Sequence, residues 1–156
     1  MPVLNKEEAL DTLRTRETLE KYALEAFMKR LNTAPELLDE IEQSIKYSEE
    51  MLNKNDLDAF SRADVLIHEI IRNNCGSLWA LHFLEQIWYM FTLVRKMDAN
   101  SDVVKFAKRS ISEHKKLLRL MKKGDIEETV ICLSKHLQHQ QKRLDVIFDE
   151  TSEKKN

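Results

Sequence analysis

The chain has 156 residues, with 25 Lys or Arg against 27 Asp or Glu and a formal net charge of −2. At this length one domain buries roughly 70% of its unfolded surface, so neither a disulfide nor a metal is needed merely to fold. The near balance of charge excludes the basic single-sign surface by which binders of nucleic acid or anionic membrane usually work. Gly and Pro, two of each, are scarce, and a composition rich in Leu, Glu, Lys, Ala and Met favours helix nearly everywhere. Cys75 and Cys132 form no Cys-x-x-Cys pair, which points to a reducing cytoplasmic compartment. There is no apolar signal segment, and the longest oily run, Ile87 to Val94, is too short to span a membrane.

The pattern predicts an all-α protein, a compact antiparallel bundle of about six helices forming a single domain over residues 1–156. The first helix runs from about Lys6 to Leu31, with Asn5 as N-cap and Glu8 completing a capping box. The second begins at Pro35 and carries Leu38, Ile41, Ile45 and Leu52 on one face. Asn53-Lys54-Asn55 breaks the pattern, and Asp56 caps a third helix that ends near Asn73-Asn74-Cys75-Gly76. Ser77 caps the fourth and most aromatic helix, with Trp79, Phe83, Trp88, Tyr89 and Phe91. The fifth spans roughly Asp102 to Lys123. Gly124 ends it and Asp125 caps the sixth, which runs to about Ile147. A polar tail from about Asp149 is expected to fray. Short connections between long helices imply antiparallel neighbours.

Polar residues interrupt the apolar stripes of this bundle. The third helix places Asp64 and His68, four residues apart, on the stripe of Leu57, Phe60, Ile67 and Ile71. On the fifth helix His114 fills the gap in the spacing Val104, Ala107, Ile111, Leu118, Met121. His136 borders Cys132, Leu133 and Leu137 on the sixth, on the inward side but at the margin of the stripe, whereas His139 neighbours Lys135 and Arg143 and is assigned to solvent. His82 takes a boundary position. A carboxylate aimed at a core costs several kcal/mol unless something pairs with it. Imidazole nitrogen and carboxylate oxygen together suit a divalent ion, zinc or nickel first and iron or manganese next. For any one position the plainer reading is a hydrogen-bonded core residue, with Arg62, Arg16 and His68 as alternative partners for Asp64.

Asp64-x3-His68, Glu113-His114, Gly124-Asp125 and His136-Leu137 together resemble the signature of the FCD domain. That is the C-terminal effector-binding domain of the FadR subfamily of GntR transcription regulators. The 22-residue interval from His114 to His136 fits, as do Arg16-Glu17-x-Leu19-Glu20-x-x-Ala23 and Asp56 eight residues ahead of Asp64. Ser77 after Cys75-Gly76 departs from relatives that often carry Asn there. The resemblance implies a barrel-like helical bundle in which Asp64, His68, His114 and His136 hold a divalent metal. The metal in turn anchors a small organic-acid or sugar-acid effector. It also implies a homodimer, and DNA contact only through a winged-helix domain absent from this chain. An acyl-CoA ligand is not expected, because that branch lacks the metal set.

Arg16, Arg95 and Arg72 are the candidate effector-binding cations. Arg16 is placed first because it belongs to the matched segment, with a salt bridge to Glu20 as its alternative role. No catalytic residue is assigned. A metal-dependent hydrolase is the competing reading, with Glu113 as the one obvious base; no His-Asp dipeptide or Glu-x-x-His pair supports it. A metal-free structural dimerisation bundle is the third, and it leaves Asp64 unexplained.

Overall fold

A computed structural model describes residues 5–95 and 103–153, with side chains described for 5–89 and 103–149. The helices are α1 (Lys6–Arg30), α2 (Leu37–Asn53), α3 (Leu57–Ala63), α4 (Leu66–Asn73), α5 (Leu78–Arg95), α6 (Val103–Lys123) and α7 (Ile126–Glu153). No strand occurs among the described residues. The expected six-rod bundle is therefore the observed one, with its third rod broken into α3 and α4.

Local chemistry sets most boundaries. Asn5 Oδ1 accepts from the Glu8 N–H at 2.9 Å while Glu8 Oε2 accepts from the Asn5 N–H at 3.1 Å. Asp56, Ser77 and Asp125 each accept from the backbone N–H three residues on, at 2.9, 3.2 and 3.0 Å. These bonds satisfy donors that a helix start leaves over. Gly124 closes α6 at φ +72°, a left-handed conformation that costs a side-chain-bearing residue energy.

Two boundaries differ from expectation. α2 starts at Leu37 because Pro35 begins a tighter turn, in which Leu37 N donates to Ala34 O at 3.2 Å and Leu38 N to Pro35 O at 3.1 Å. At the other end, α7 continues through the polar residues beyond Asp149. Lys6 Nζ reaches Asp145 at 3.2 Å and Asp149 at 2.8 Å, tying the start of α1 to this last stretch.

The core is formed where α1 packs on α4, α5 and α7, α2 packs on α3, α4 and α6, and α6 packs on α7. Leu24, Phe27, Ile41, Ile67, Leu117 and Leu133 are wholly buried from five of these helices. Each contributes about 1.5–3 kcal/mol by leaving water. An apolar core of this extent holds the bundle by itself, so the buried polar residues call for a separate account.

The break in the third rod falls on one of them. Asp64 N donates to Phe60 O at 2.8 Å, and regular bonding resumes with Glu69 N to Val65 O at 3.1 Å. Asp64 and Val65 both keep right-handed backbone angles. The interruption is a hitch with no Gly or Pro to announce it. Asp64 thus caps the end of α3 while His68 lies within α4, rather than both standing on one continuous helix face.

Candidate metal centre

His68 on α4, His114 on α6 and His136 on α7 converge from three helices. Each offers a nitrogen within 4.8 Å of the others. Their ring centroids lie 4.7 Å (His114–His136), 5.3 Å (His68–His136) and 5.4 Å (His68–His114) apart. All three are buried, His136 at 1% exposure rather than at the margin where its neighbours suggested. Asp64 joins them at the end of α3, its Oδ1 3.5 Å from His114 Nδ1. Of the four residues expected to act together, the three histidines converge on one point and Asp64 stands beside His114.

Hydrogen-bond accounting fixes how the rings face. His68 Nδ1 donates to Glu20 Oε2 at 2.6 Å and His136 Nδ1 donates to Glu113 Oε2 at 2.8 Å. A proton on each Nδ1 leaves each Nε2 with a lone pair. His68 Nε2 is buried without a hydrogen-bond partner among the described residues. His114 Nε2 lies 3.3 Å from His136 Nε2. If His114 carries its proton on Nδ1, toward the Asp64 carboxylate, then two lone pairs face each other across that gap. If the proton sits on Nε2, a lone pair faces Asp64 instead. Neither placement satisfies every atom.

Charge reinforces this geometry. Burial pushes His68 and His136 below the ordinary imidazole range, and pushes His114 down to about 4. The rings are therefore neutral near pH 7, the form that ligates metals. Burial works to raise Glu113, but the bonds from His136, Arg109 and His139 outweigh it and hold the carboxyl at about 2. Glu20 is likewise raised by burial and lowered further by Arg16 and His68, ending well below the usual carboxylate range. Three buried neutral imidazoles, two of them held on the far nitrogen by an ionised carboxylate, form the kind of donor arrangement that orients histidine toward a metal. The residues present fit a divalent ion.

The arginines expected to meet an effector stand elsewhere. Arg16 is buried, donating from Nε to Glu20 Oε1 at 2.5 Å and from Nη1 to Gln140 Oε1 at 2.8 Å. Its guanidinium carbon lies 5.0 Å from the Trp88 ring centre. Arg16 and Arg72 line a cavity of only about 10 Å³ beside His68, too small for an organic acid. The Arg95 side chain lies outside the described residues.

A cavity of about 330 Å³ opens instead between α3, α6 and α7, lined by Asp64, Ser110, Glu113, His136 and Gln140 among others. Its cations are Arg109 and Arg143. Arg109 donates to Glu113 Oε1 at 3.0 Å and to His139 Nε2 at 2.5 Å, while Arg143 lies over the Phe106 ring at 4.0 Å. His139, assigned to solvent from its neighbours, is half-buried at the cavity wall and donates from Nδ1 to Glu113 Oε1 at 2.6 Å.

Sequence reasoning missed Ser110, Gln140 and the supporting role of Glu20. Ser110 Oγ donates to both Asp64 oxygens, at 2.8 and 3.1 Å. Gln140 Nε2 donates to His136 Nε2 at 3.1 Å, its amide turned that way by Arg16. A signal existed for part of this. Ser110 precedes His114 by four residues, and Gln140 and Arg143 follow His136 by four and seven, which places each pair on one helix face.

A buried carboxylate–imidazole cluster thus borders a cavity within an all-helical bundle. The model of the FCD domain matches residues 11–139, and the chain belongs to that family. Its structure is similar to one described as "Metal-free FCD domain of TM0439 a putative transcriptional regulator", with a TM-score of 0.75 and 22% identity. The match covers 96% of this chain and 99% of that one, and at that identity the likeness shows the fold. No curated protein matches the chain. Family membership supports a ligand-sensing regulatory domain rather than an enzyme. No described helix is long and apolar enough to cross a membrane.

Proposed function

We propose that the domain is a metal-dependent sensor in which Asp64, His68, His114 and His136 bind one divalent ion. A small carboxylate effector then binds in the adjoining cavity. The observation that carries this reading is the convergence of imidazole nitrogens from three helices, two of them aimed inward by Glu20 and Glu113. Zinc or nickel suits a donor set of imidazoles and one carboxylate best, with iron or manganese next. When bound, the ion supplies a positive charge to hold a carboxylate. The chain's own residues do the rest: Ser110 steadies Asp64, Glu113 steadies His136, and Arg109 and Arg143 add positive potential along the cavity.

An effector there touches α3, α6 and α7 together. Its differential affinity for two arrangements of those helices would shift how paired domains sit. In an intact regulator that shift would reposition a separate winged-helix DNA reader. We place the homodimer contact on the exposed side of α5, where Leu78, Trp79, Phe83 and Tyr89 leave a large apolar area in water. The hydrolase alternative is weakened by Glu113, whose oxygens already accept from His136, His139 and Arg109. A base so occupied is poorly placed to take a proton from water.

Elemental analysis of protein purified without chelator should find about one equivalent of metal per chain. Asp64→Ala and His114→Ala should each remove it; full occupancy in both variants would refute the ligand assignment. In thermal melts, organic acids should stabilise the metal-loaded protein by RT ln(1 + [L]/Kd) and leave chelator-treated protein unmoved.

A further inference from the structure

We propose that the effector is a monocarboxylic acid with an apolar body of about ten carbons, aryl or alkyl, rather than a polyhydroxy or tricarboxylic acid. This rests on the metal-and-carboxylate reading above and narrows its ligand class.

The three helices that wall the large cavity change character in the same direction. Along α3 to its C-cap, Leu57 and Phe60, with the exposed Asp58 between them, give way to Ser61 and Asp64. On α6, Val103, Phe106 and Ala107 give way to Ser110 and Glu113. On α7 the order runs the other way along the chain, from His136 and Gln140 to Leu144 and Ile147. The hydrogen bonds Ser110–Asp64, Glu113–His136 and Gln140–His136, bridged by His114 at 3.5 Å from Asp64 and 3.3 Å from His136, gather these polar members into one cluster. The cavity therefore has a polar end at the metal cluster and an apolar end roughly 10 Å along α6, seven residues at 1.5 Å each. Even the Arg143 guanidinium is stacked on Phe106.

Charge and volume narrow the ligand further. The lining holds three carboxylates, Asp58, Asp64 and Glu113, against two guanidiniums, Arg109 and Arg143, an excess of one negative charge. A divalent ion on the cluster turns that into one positive charge, which a single carboxylate neutralises and a tricarboxylate overshoots by two. A cavity of about 150 Å³ lined by aliphatic side chains accepts benzene, so 330 Å³ holds about thirteen non-hydrogen atoms, a carboxylate and about ten carbons. Hydroxyls set against Leu57, Val103, Leu144 and Ile147 would give up water without gaining a partner from those side chains.

Calorimetric titration of the metal-loaded protein with straight-chain acids from acetate to decanoate tests this, with gluconate and citrate as comparisons. Affinity should rise about fourfold per added methylene until the cavity is filled, and gluconate and citrate should bind more weakly than octanoate. Val103→Asn, half-buried at the apolar end, should keep its metal and lose the gain of the longest acids. A flat series, or gluconate or citrate binding tighter than octanoate, overturns the proposal and leaves the metal-and-carboxylate reading standing. An unchanged series in Val103→Asn places the chain elsewhere and also overturns it. No binding by any acid to fully metal-loaded protein overturns both.

Discussion

Two flanks of the histidine cluster carry nearly the same residue types and do different things with them. Toward α1, Glu20 holds His68 Nδ1 at 2.6 Å; toward α6 and α7, Glu113 holds His136 Nδ1 at 2.8 Å. Each carboxylate also accepts from an arginine, Arg16 in the first case and Arg109 in the second. On the α1 flank the guanidinium is spent inside the protein, against Glu20, Gln140 and Trp88, and about 10 Å³ remains. On the other flank the small residues Ala107 and Ser110 leave about 330 Å³. One flank clamps the cluster to α1, and the other, on the reading proposed above, receives the ligand. The difference lies in what volume the neighbours leave, not in which charged groups are present.

The strongest way to break that comparison is to remove the clamp. Arg16 is 2% exposed and Glu20 8%, so Arg16→Ala leaves a buried carboxylate without its main counter-charge. Loss of one partner of such a pair costs about 3–5 kcal/mol. Urea unfolding of the chelator-treated protein should show a fall of that size. A loss below about 1 kcal/mol, the level of a surface pair, would mean that this flank is no clamp.

Acid should strike both flanks at once, at comparable scale. The three histidines are buried with pKa values below the free imidazole value, so the unfolded chain takes up protons that the folded one refuses. Stability they confer is present above about pH 6.5 and is lost as pH falls toward the folded values, about 4 for His114. A shift of that span corresponds to roughly 3 kcal/mol for His114 alone. Glu113, held at about 2, keeps its contribution until pH falls below the ordinary carboxylate range near 4.5. Chelator-treated protein should therefore lose stability first between pH 6.5 and 4; a flat profile there would show that the rings are not buried neutral. Metal should leave over the same interval, because protons and the ion compete for the same nitrogens.

The number of helical rods, the caps at Asn5, Asp56, Ser77 and Asp125, and the inward side of Asp64, His68 and His114 were legible in the sequence, because each follows from local spacing. His114 is conspicuous as the one gap in an apolar stripe, and Asp125 as the residue behind a helix-ending Gly. The hitch at Asp64–Val65 was not legible, since neither residue is a helix breaker and both keep helical angles. Arg16 drew notice as part of a matched segment, yet its partners come from residues 20 and 140, the second 124 positions away. Arg143 lies one heptad beyond His136 and had the better claim to the cavity. What decides between two arginines is the space left by their neighbours, and space is a property of the packed structure.

Glu113→Gln sharpens the comparison from the receiving flank. The amide cannot hold His136 Nδ1–H, His139 and Arg109 as a carboxylate does. Loss of a carboxylate behind a ligating histidine typically lowers metal affinity 10–100-fold. Because Glu113 is half-buried and Arg109 exposed, folding stability should change much less than in Arg16→Ala. Metal titration against a competing chelator separates the two effects. Unchanged affinity would reduce Glu113 to a surface ion pair.

The smallest effect expected on folding is the most discriminating. Arg143 is half-buried on the receiving flank, with its guanidinium over Phe106 and its side chain among those lining the cavity. Arg143→Ala gives up a cation–π contact of about 0.5–1 kcal/mol at such a site, several times less than Arg16→Ala. It also removes one of the two positive charges lining the cavity, so carboxylate affinity should drop while metal content holds. The pair of variants then gives opposite patterns: one loses stability, the other loses ligand. If Arg143→Ala instead unfolds the protein as readily as Arg16→Ala while binding acids normally, both arginines serve the fold, and the receiving flank must find its ligand's counter-charge in the ion alone.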